Sequence, residues 1–332
     1  MPKHFTHLKD FTPAELMALV DETLALKRGR SAGAPLAGKS VAFCFMNPSL
    51  RTQVSSEVAA SQLGAHPITL NMGSGNGVWA MEAEEGVVMD GAAAEHLKEA
   101  VPVLGRYCAA LGLRSFPAGK SWEEDKKEPH LSAFIKYSTV PVINLESASG
   151  HPCQAIADMA TIRERMNPRG KNFLLTWAPQ VKALPMAVPN SAAEIAAMAG
   201  MNVTIARPEG YDLDPAVMAR VEKYASSVAV TDDAGSAFRG QHVVYAKSWG
   251  SIKNYGVAPS VDLRKDWIVT GEKMRRTDNA IFMHCLPVRR NLVVADEVLD
   301  GPWSVVIDEA ENRLHAAKAV LLHLLARQEA LI

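Results

Sequence analysis

Cysteine is scarce in this chain and scattered. Four stand in 332 residues, as Cys44, Cys108, Cys153 and Cys285. With no C-x-x-C pair among them, the spacing excludes a zinc module and a disulfide framework. Long apolar runs are missing too, since none approaches the roughly 20 residues needed to cross a bilayer. The segment Met1 to Val20 is broken by Lys3, His4, His7, Lys9, Asp10 and Glu15, unlike a secretory signal. A cytoplasmic protein with no membrane partner is therefore expected. Excess charge is also lacking: Lys plus Arg is 35, Asp plus Glu is 36, and the formal net charge is -1. No overall field gathers nucleic acid, so an anion must be caught by a local site. Gly73-Ser74-Gly75-Asn76-Gly77 has a dinucleotide loop's glycines without its spacing, and there is no Walker A motif, which disfavours a nicotinamide oxidoreductase. A mobile loop carrying an exposed Trp79 is the expectation there. No internal repeat or low-complexity tract is visible.

What is present is ordinary globular material, 48% hydrophobic and 21% charged, at about twice the usual single-domain length. Thr12-Pro13-Ala14-Glu15 is a capping box with proline at the first helical position, followed by Leu16, Leu19 and Val20 on one face. Strands are expected at 41–46, 68–70, 140–145, 173–177, 203–206, 242–246, 280–283 and 304–307. Helices are expected at 52–63, 191–199, 215–224 and 311–328. Short apolar strands alternating with helices indicate parallel sheets covered on both faces, hence two α/β domains joined near residues 138–155. In such folds the chemistry sits at the carboxyl ends of strands.

Four motifs occupy such ends. Ser49-Leu50-Arg51-Thr52 lies where a strand turns into a helix, so free N–H groups, two hydroxyls and a guanidinium form a phosphate cradle; the bland alternative is a capped helix with a solvated arginine. His151-Pro152-Cys153-Gln154 opens a helix with two polar side chains able to touch one small substrate, although a lone histidine is more often structural. His284-Cys285-Leu286-Pro287 closes a strand and is followed at once by Arg289 and Arg290. Glu309-Ala310-Glu311-Asn312-Arg313 opens the last helix, where a cation is unfavourable unless an anion is near.

In this order and spacing, the four motifs resemble the aspartate/ornithine carbamoyltransferase family over essentially the whole chain. Val88-Met89-Asp90-Gly91, Thr176-Trp177-Ala178-Pro179 and Tyr245-Ala246-Lys247-Ser248-Trp249-Gly250 resemble its N-acylornithine branch, whose members act in arginine biosynthesis. The resemblance implies two Rossmann-like parallel-sheet α/β domains, with a knotted C-terminal substrate domain. A carbamoyl-phosphate-binding domain would comprise 1–145 plus 312–332, and an N-acylornithine-binding domain 146–311. It implies a homotrimer with active sites at subunit interfaces, and no metal or organic cofactor. Carbamoyl phosphate and an N-acylornithine would be the partners.

Residue roles are implied in the same way. Ser49, Leu50, Arg51, Thr52 and Arg313 would hold the phosphate, with Trp79 reaching in from a neighbouring subunit. Arg114, His151 and Gln154 would grip the carbamoyl group, while Cys285 and the Leu286 carbonyl receive its amino side. Arg51, Thr52, Arg114, His151 and Cys285 would form the catalytic set. Glu146, Gln180, Lys247, Arg289 and Ala94 would bind the acylornithine. Two departures matter. Gln53 stands where the family has arginine, and Ala94 and Val293 stand where acetyl enzymes carry Glu and Lys. A neutral Ala94 favours a succinyl group, because a carboxylate there would repel it. Gln180, where succinyl enzymes carry histidine, points the other way. A non-catalytic family member would be expected to lose phosphate-gripping residues, yet Arg51, Thr52, Arg114, His151 and Arg313 are all present.

Overall fold

The computed structural model describes residues 3–30, 33–72, 80–260 and 263–326. The first helix forms on its cap. The Thr12 side chain accepts from the Glu15 N–H, and the Glu15 carboxylate accepts from the Thr12 N–H at 2.8 Å. Satisfying these donors reciprocally fixes the start of α1 (Pro13–Lys27), which buries Leu16, Leu19, Val20 and Leu24.

The chain continues through β1 (Ser40–Phe45), α2 (Leu50–Gln62) and β2 (His66–Asn71). Two short strands, β3 (Met81–Glu82) and β4 (Glu95–His96), pair with each other as a separate ribbon. Then come α3 (Leu97–Tyr107), β5 (Ala110–Arg114), the turn α4 (Trp122–Asp125), α5 (Pro129–Tyr137) and β6 (Val142–Glu146). Strands β2-β1-β5-β6 form one parallel sheet. Every residue of β5 and β6 is buried, as a sheet covered on both faces requires, while the edge strand β2 is half exposed.

The second block begins with α6 (Pro152–Arg165), β7 (Asn172–Trp177), α7 (Ala187–Met198), β8 (Asn202–Ala206), α8 (Pro215–Tyr224) and β9 (Ser227–Thr231). It ends with β10 (Val243–Lys247), the short α9 (Arg264–Trp267) and α10 (Gly271–Met274), β11 (Ile281–Met283), α11 (Asp296–Leu299) and α12 (Val306–Leu325). Its sheet, β11-β10-β7-β8-β9, is parallel throughout. The final helix packs on α6 and returns to α1 and α2 of the first block. Each sheet reverses its strand order once, between β1 and β5 and between β7 and β10. Crevices at such switch points receive ligands in open α/β sheets.

Most expected elements form within a residue or two of their bounds, and the two-domain parallel α/β architecture stands. The expected strand at 304–307 does not. Only Ser304 bridges, to Phe282, and α12 begins at Val306 rather than at 311. Asp308 and Glu309 then lie in its first turn, where acidic side chains meet the positive end of the helix dipole. Four apolar residues cannot tell a strand from a helix start. Gln328, the expected end of this helix, lies outside the described residues. Helix α7 starts earlier than expected, at Ala187, because Pro189 falls in its first turn, where proline is tolerated. Helices α3 and α5 and strands β5 and β9 were not anticipated by the sequence pattern.

Candidate active site

The carboxyl ends of β1, β5, β6, β10 and β11 face one cavity of about 620 Å³. Buried strand β1 runs out at Phe45, and Ser49 caps α2 by accepting from the Thr52 N–H at 3.3 Å. The Ser49 hydroxyl donates to Thr52 Oγ1 at 3.0 Å. Arg313, well inside α12, reaches across: its Nη2 donates to Thr52 Oγ1 at 2.9 Å, and its Nη1 to Gln154 Oε1 at 2.6 Å. The cation that looked out of place at a helix start therefore belongs to a second helix's N-terminus. Gln53 turns away along α2 to donate to Glu57 at 3.1 Å and does not line the cavity.

Arg114 ends β5 and Glu146 ends β6. The register between these strands shifts at Leu113/Arg114, which sets Arg114 opposite Glu146, and the two form a buried ion pair. The Arg114 guanidinium also stacks 4.5 Å over the Phe116 ring. His151 caps the entry to α6 with its Nε2 3.8 Å from the same Glu146 oxygen. Burial, then the charges of Arg313, Arg114 and Lys247, push the His151 pKa well below the usual imidazole range, so the ring is neutral. Across the cavity, Leu286 sits in the left-handed region at φ 54° and its N–H donates to His284 Nδ1 at 2.9 Å. A side chain with Cβ holds that conformation at a cost, and its neighbours on the cavity wall are the likes of Cys285 and Pro287. Burial pushes the Cys285 thiol up to about 11, leaving it protonated at neutral pH.

The second-domain wall is tied together by Ser248, whose hydroxyl donates to the Ala178 carbonyl at 2.6 Å. That bond joins the loops after β7 and β10, so Gln180 and Lys247 line the same side. Arg289 lines the cavity from an exposed position. Trp177 and Trp249, by contrast, are buried in the core, linked by a hydrogen bond from Trp177 Nε1 to the Trp249 carbonyl at 3.0 Å. Among the described residues, six cationic side chains (Arg51, Arg114, Lys182, Lys247, Arg289 and Arg313) line the cavity against one carboxylate, Glu146. Such a cavity is built for anions.

The structure thus gathers Ser49, Leu50, Arg51, Thr52, Arg114, Glu146, His151, Gln154, Gln180, Lys247, Cys285, Leu286, Arg289 and Arg313. It does not bring Ala94 into this cavity. Ala94 is exposed beside the β3–β4 ribbon, with its N–H on the Ala80 carbonyl at 3.2 Å. Val293 is a core residue, 1% exposed. Trp79 and the Gly73–Gly77 loop lie outside the described residues. Sequence reasoning missed Lys182, Phe116 and the apolar wall of Leu184, Pro185 and Val188. A proline-rich loop after β7 was the only available signal for the last three.

Comparison with known proteins agrees over nearly the whole length. Residues 3–164 match the family model described as "Aspartate/ornithine carbamoyltransferase, carbamoyl-P binding domain", and residues 186–324 match its "Asp/Orn binding domain". N-acetylornithine carbamoyltransferase of Xanthomonas campestris is 42% identical, with 98% of each chain covered. N-succinylornithine carbamoyltransferase of Bacteroides fragilis is 40% identical over 97% of this chain and 98% of its own. Among solved structures, acetylornithine transcarbamylase complexed with acetylcitrulline superposes with a TM-score of 0.92 at 42% identity, covering 97% of this chain and 99% of that one. A glutamate-to-alanine mutant of N-acetyl-L-ornithine transcarbamylase, complexed with carbamyl phosphate and N-succinyl-L-norvaline, superposes with a TM-score of 0.91 at 42% identity and the same coverage.

Proposed function

The chain belongs to the aspartate/ornithine carbamoyltransferase family, within its N-acylornithine branch, and from that premise we propose its reaction. It transfers the carbamoyl group of carbamoyl phosphate to the δ-amine of an N-acylornithine, with N-succinyl-L-ornithine preferred to N-acetyl-L-ornithine. The products are an N-acylcitrulline and phosphate. The observation that carries this reading is the cavity of six cations and one carboxylate between two switch points. It suits a phosphorylated donor and a carboxylate-bearing acceptor held side by side.

The proposed roles divide by wall. Ser49, Arg51, Thr52 and Arg313 hold the phosphate at the N-terminus of α2. Arg114 and His151 face the carbonyl oxygen as the tetrahedral intermediate develops charge, with Thr52. Gln154, Cys285 and the Leu286 carbonyl hold the carbamoyl amino group. Glu146, Gln180, Lys247 and Arg289 receive the acylornithine. Trp79 and Ala94 act on a neighbour's cavity in a homotrimer, a reading supported by Ala94 lying exposed and away from its own cavity. The carbamoyl-phosphate domain is taken as 1–145 plus 312–332, with 146–311 as the acceptor domain. That boundary cuts α12, which starts at Val306, inside its second turn. The setting is arginine biosynthesis in the cytoplasm.

Support for succinyl comes from the alanine at position 94 and from the alanine mutant of the solved relative, which was captured with a succinylated ligand. The test compares initial rates with ornithine, N-acetylornithine and N-succinylornithine at fixed carbamoyl phosphate. N-succinylornithine should give the highest kcat/KM. A preference for N-acetylornithine would reverse the acyl assignment, and turnover only with free ornithine would overturn the branch-level substrate.

A further inference from the structure

Behind the cavity wall lie two carboxyl groups that the proposed reaction does not use. Asp158, on α6, is 2% exposed, and Glu309, on α12, is 1% exposed. Both touch the same atom: Gln154 Nε2 donates to Asp158 Oδ1 at 2.7 Å and to Glu309 Oε1 at 3.4 Å. The other Glu309 oxygen accepts from the His284 N–H at 2.9 Å. Asp158 Oδ2 is buried with no hydrogen-bond partner, and so is the hydroxyl of Tyr245.

These contacts extend in both directions into the site. Glu309 anchors the backbone that leads into Cys285 and Leu286. Gln154 Oε1 accepts from Arg313, whose second nitrogen donates to Thr52, which in turn accepts from Ser49. One buried chain of hydrogen bonds therefore joins the carbamoyl wall of the second domain to the phosphate cradle of the first. The orientation of the Gln154 amide is its central link. With its NH₂ on two carboxyl oxygens, its carbonyl must face the guanidinium; flipped, it would set donor against donor and acceptor against acceptor.

Two carboxylates this close, both out of water, cannot both be ionised. The groups facing them are Tyr245 from β10, Cys285 beyond β11 and Arg313 from α12. Of these only Arg313 is cationic at neutral pH, and its hydrogen bonds go to Gln154 and Thr52. We propose that Asp158 and Glu309 are a positioning pair that shares one proton, locks the Gln154 amide, and through Arg313 sets Thr52 for the phosphate. In keeping with this, burial raises the Asp158 pKa to about 6, and burial with repulsion from Asp158 raises Glu309 well above the carboxylate range. The proton is held at neutral pH and lost as pH rises, when two like charges would open the bracket.

The phosphate role in this inference rests on the proposed reaction, so the experiment uses a readout that needs no acceptor. Inorganic phosphate is titrated calorimetrically into the full chain, at about pH 7 and about pH 9, for wild type, Asp158→Ala, Asp158→Asn and Glu309→Gln. Asp158→Ala should weaken phosphate binding about tenfold or more, because Gln154 loses its nearer acceptor. Asp158→Asn supplies the bridging hydrogen permanently, so it should recover most of that loss. It should also lack the alkaline decline in affinity that wild type shows beyond phosphate's own ionisation. Glu309→Gln should lack that decline too, which keeps the test decisive where the alanine variant does not fold. Equal losses in Asp158→Ala and Asp158→Asn, or an alkaline decline unchanged in the two amide variants, would overturn the pair. Failure of wild type to carbamoylate any acceptor would instead sink the reaction and leave the phosphate titration standing.

Discussion

Arg51 offers the most discriminating perturbation, because its effect on folding and its proposed role in binding pull in opposite directions. It is the second residue of α2, half-buried, and has no ion-pair partner among the described residues. Burial first, with the guanidiniums of Arg313 and Arg114 adding to it, pushes its pKa down. A cation held among cations destabilises the empty protein, so Arg51→Ala should fold at least as well as wild type, with stability unchanged or raised by up to about 1 kcal/mol. A bound phosphate reverses the sign. At an effective dielectric near 20, a unit charge about 4 Å away contributes roughly 4 kcal/mol, and losing a charge-assisted partner costs on the order of 2–5 kcal/mol. That corresponds to a loss of about 30-fold to several thousandfold in kcat/KM for carbamoyl phosphate. Thermal melts with and without inorganic phosphate give an independent reading. Wild type should gain about 2.7 kcal/mol at 100 times the dissociation constant, and Arg51→Ala should gain about 0.9 kcal/mol or less at the same concentration. Near-normal turnover at low carbamoyl phosphate would remove Arg51 from the site. A melting point several degrees lower without ligand would make it a structural residue instead.

Three further outcomes are expected. Mixing inactive Trp79→Ala protomers with inactive Arg51→Ala protomers should regain activity, since some interfaces then join two intact halves; no regain after proven subunit exchange would contradict a shared site. Cys285→Ser should keep activity within about a hundredfold of wild type, because a thiol pushed up to about 11 is no nucleophile at neutral pH, whereas the loss of a true nucleophile costs about a millionfold. Ala94→Glu should lower turnover of N-succinylornithine by about a hundredfold, from like charges about 5 Å apart at a dielectric near 20. It should spare N-acetylornithine, and equal losses with both acceptors would show that the acyl pocket lies elsewhere.

The fold was legible where periodicity and punctuation coincide. The Thr12–Glu15 box starts α1 as written, and the apolar runs of β1, β7 and β10 become buried parallel strands. Helix α3 was missed because Pro102 sits inside it, a residue that reads as a breaker although the helix continues through. The 304–307 segment was misread because its apolar pattern carries no information about the Glu309 side chain, which closes a buried hydrogen bond on His284. The site was legible as four motifs, each with a plausible solvated alternative. What linear spacing does not carry is the cross-chain geometry, such as Arg313 donating to Thr52 from 261 residues away. Lys182 was invisible for a simpler reason: a lysine on a loop looks the same whether it faces solvent or a cavity.

The lining also bears on where the proton of the proposed reaction goes. The δ-amine must attack neutral, although an alkylammonium has a pKa of about 10.4. Each protein candidate for accepting its proton is otherwise engaged. Glu146 is paired with Arg114. His151 is held neutral with its pKa pushed far down, which makes it a feeble base, and Cys285 is already protonated. The cations around them favour a neutral amine over an ammonium by repulsion, so the same charges proposed to hold the phosphate would also prepare the nucleophile. Carbamoyl phosphate brings its own base. In the proposed roles, negative charge grows on the departing oxygen beside Arg51, Thr52 and Arg313 as the C–O bond to phosphate breaks, and the amine's proton passes to that phosphate. A cavity of donors needs no dedicated catalytic base when the leaving group becomes one.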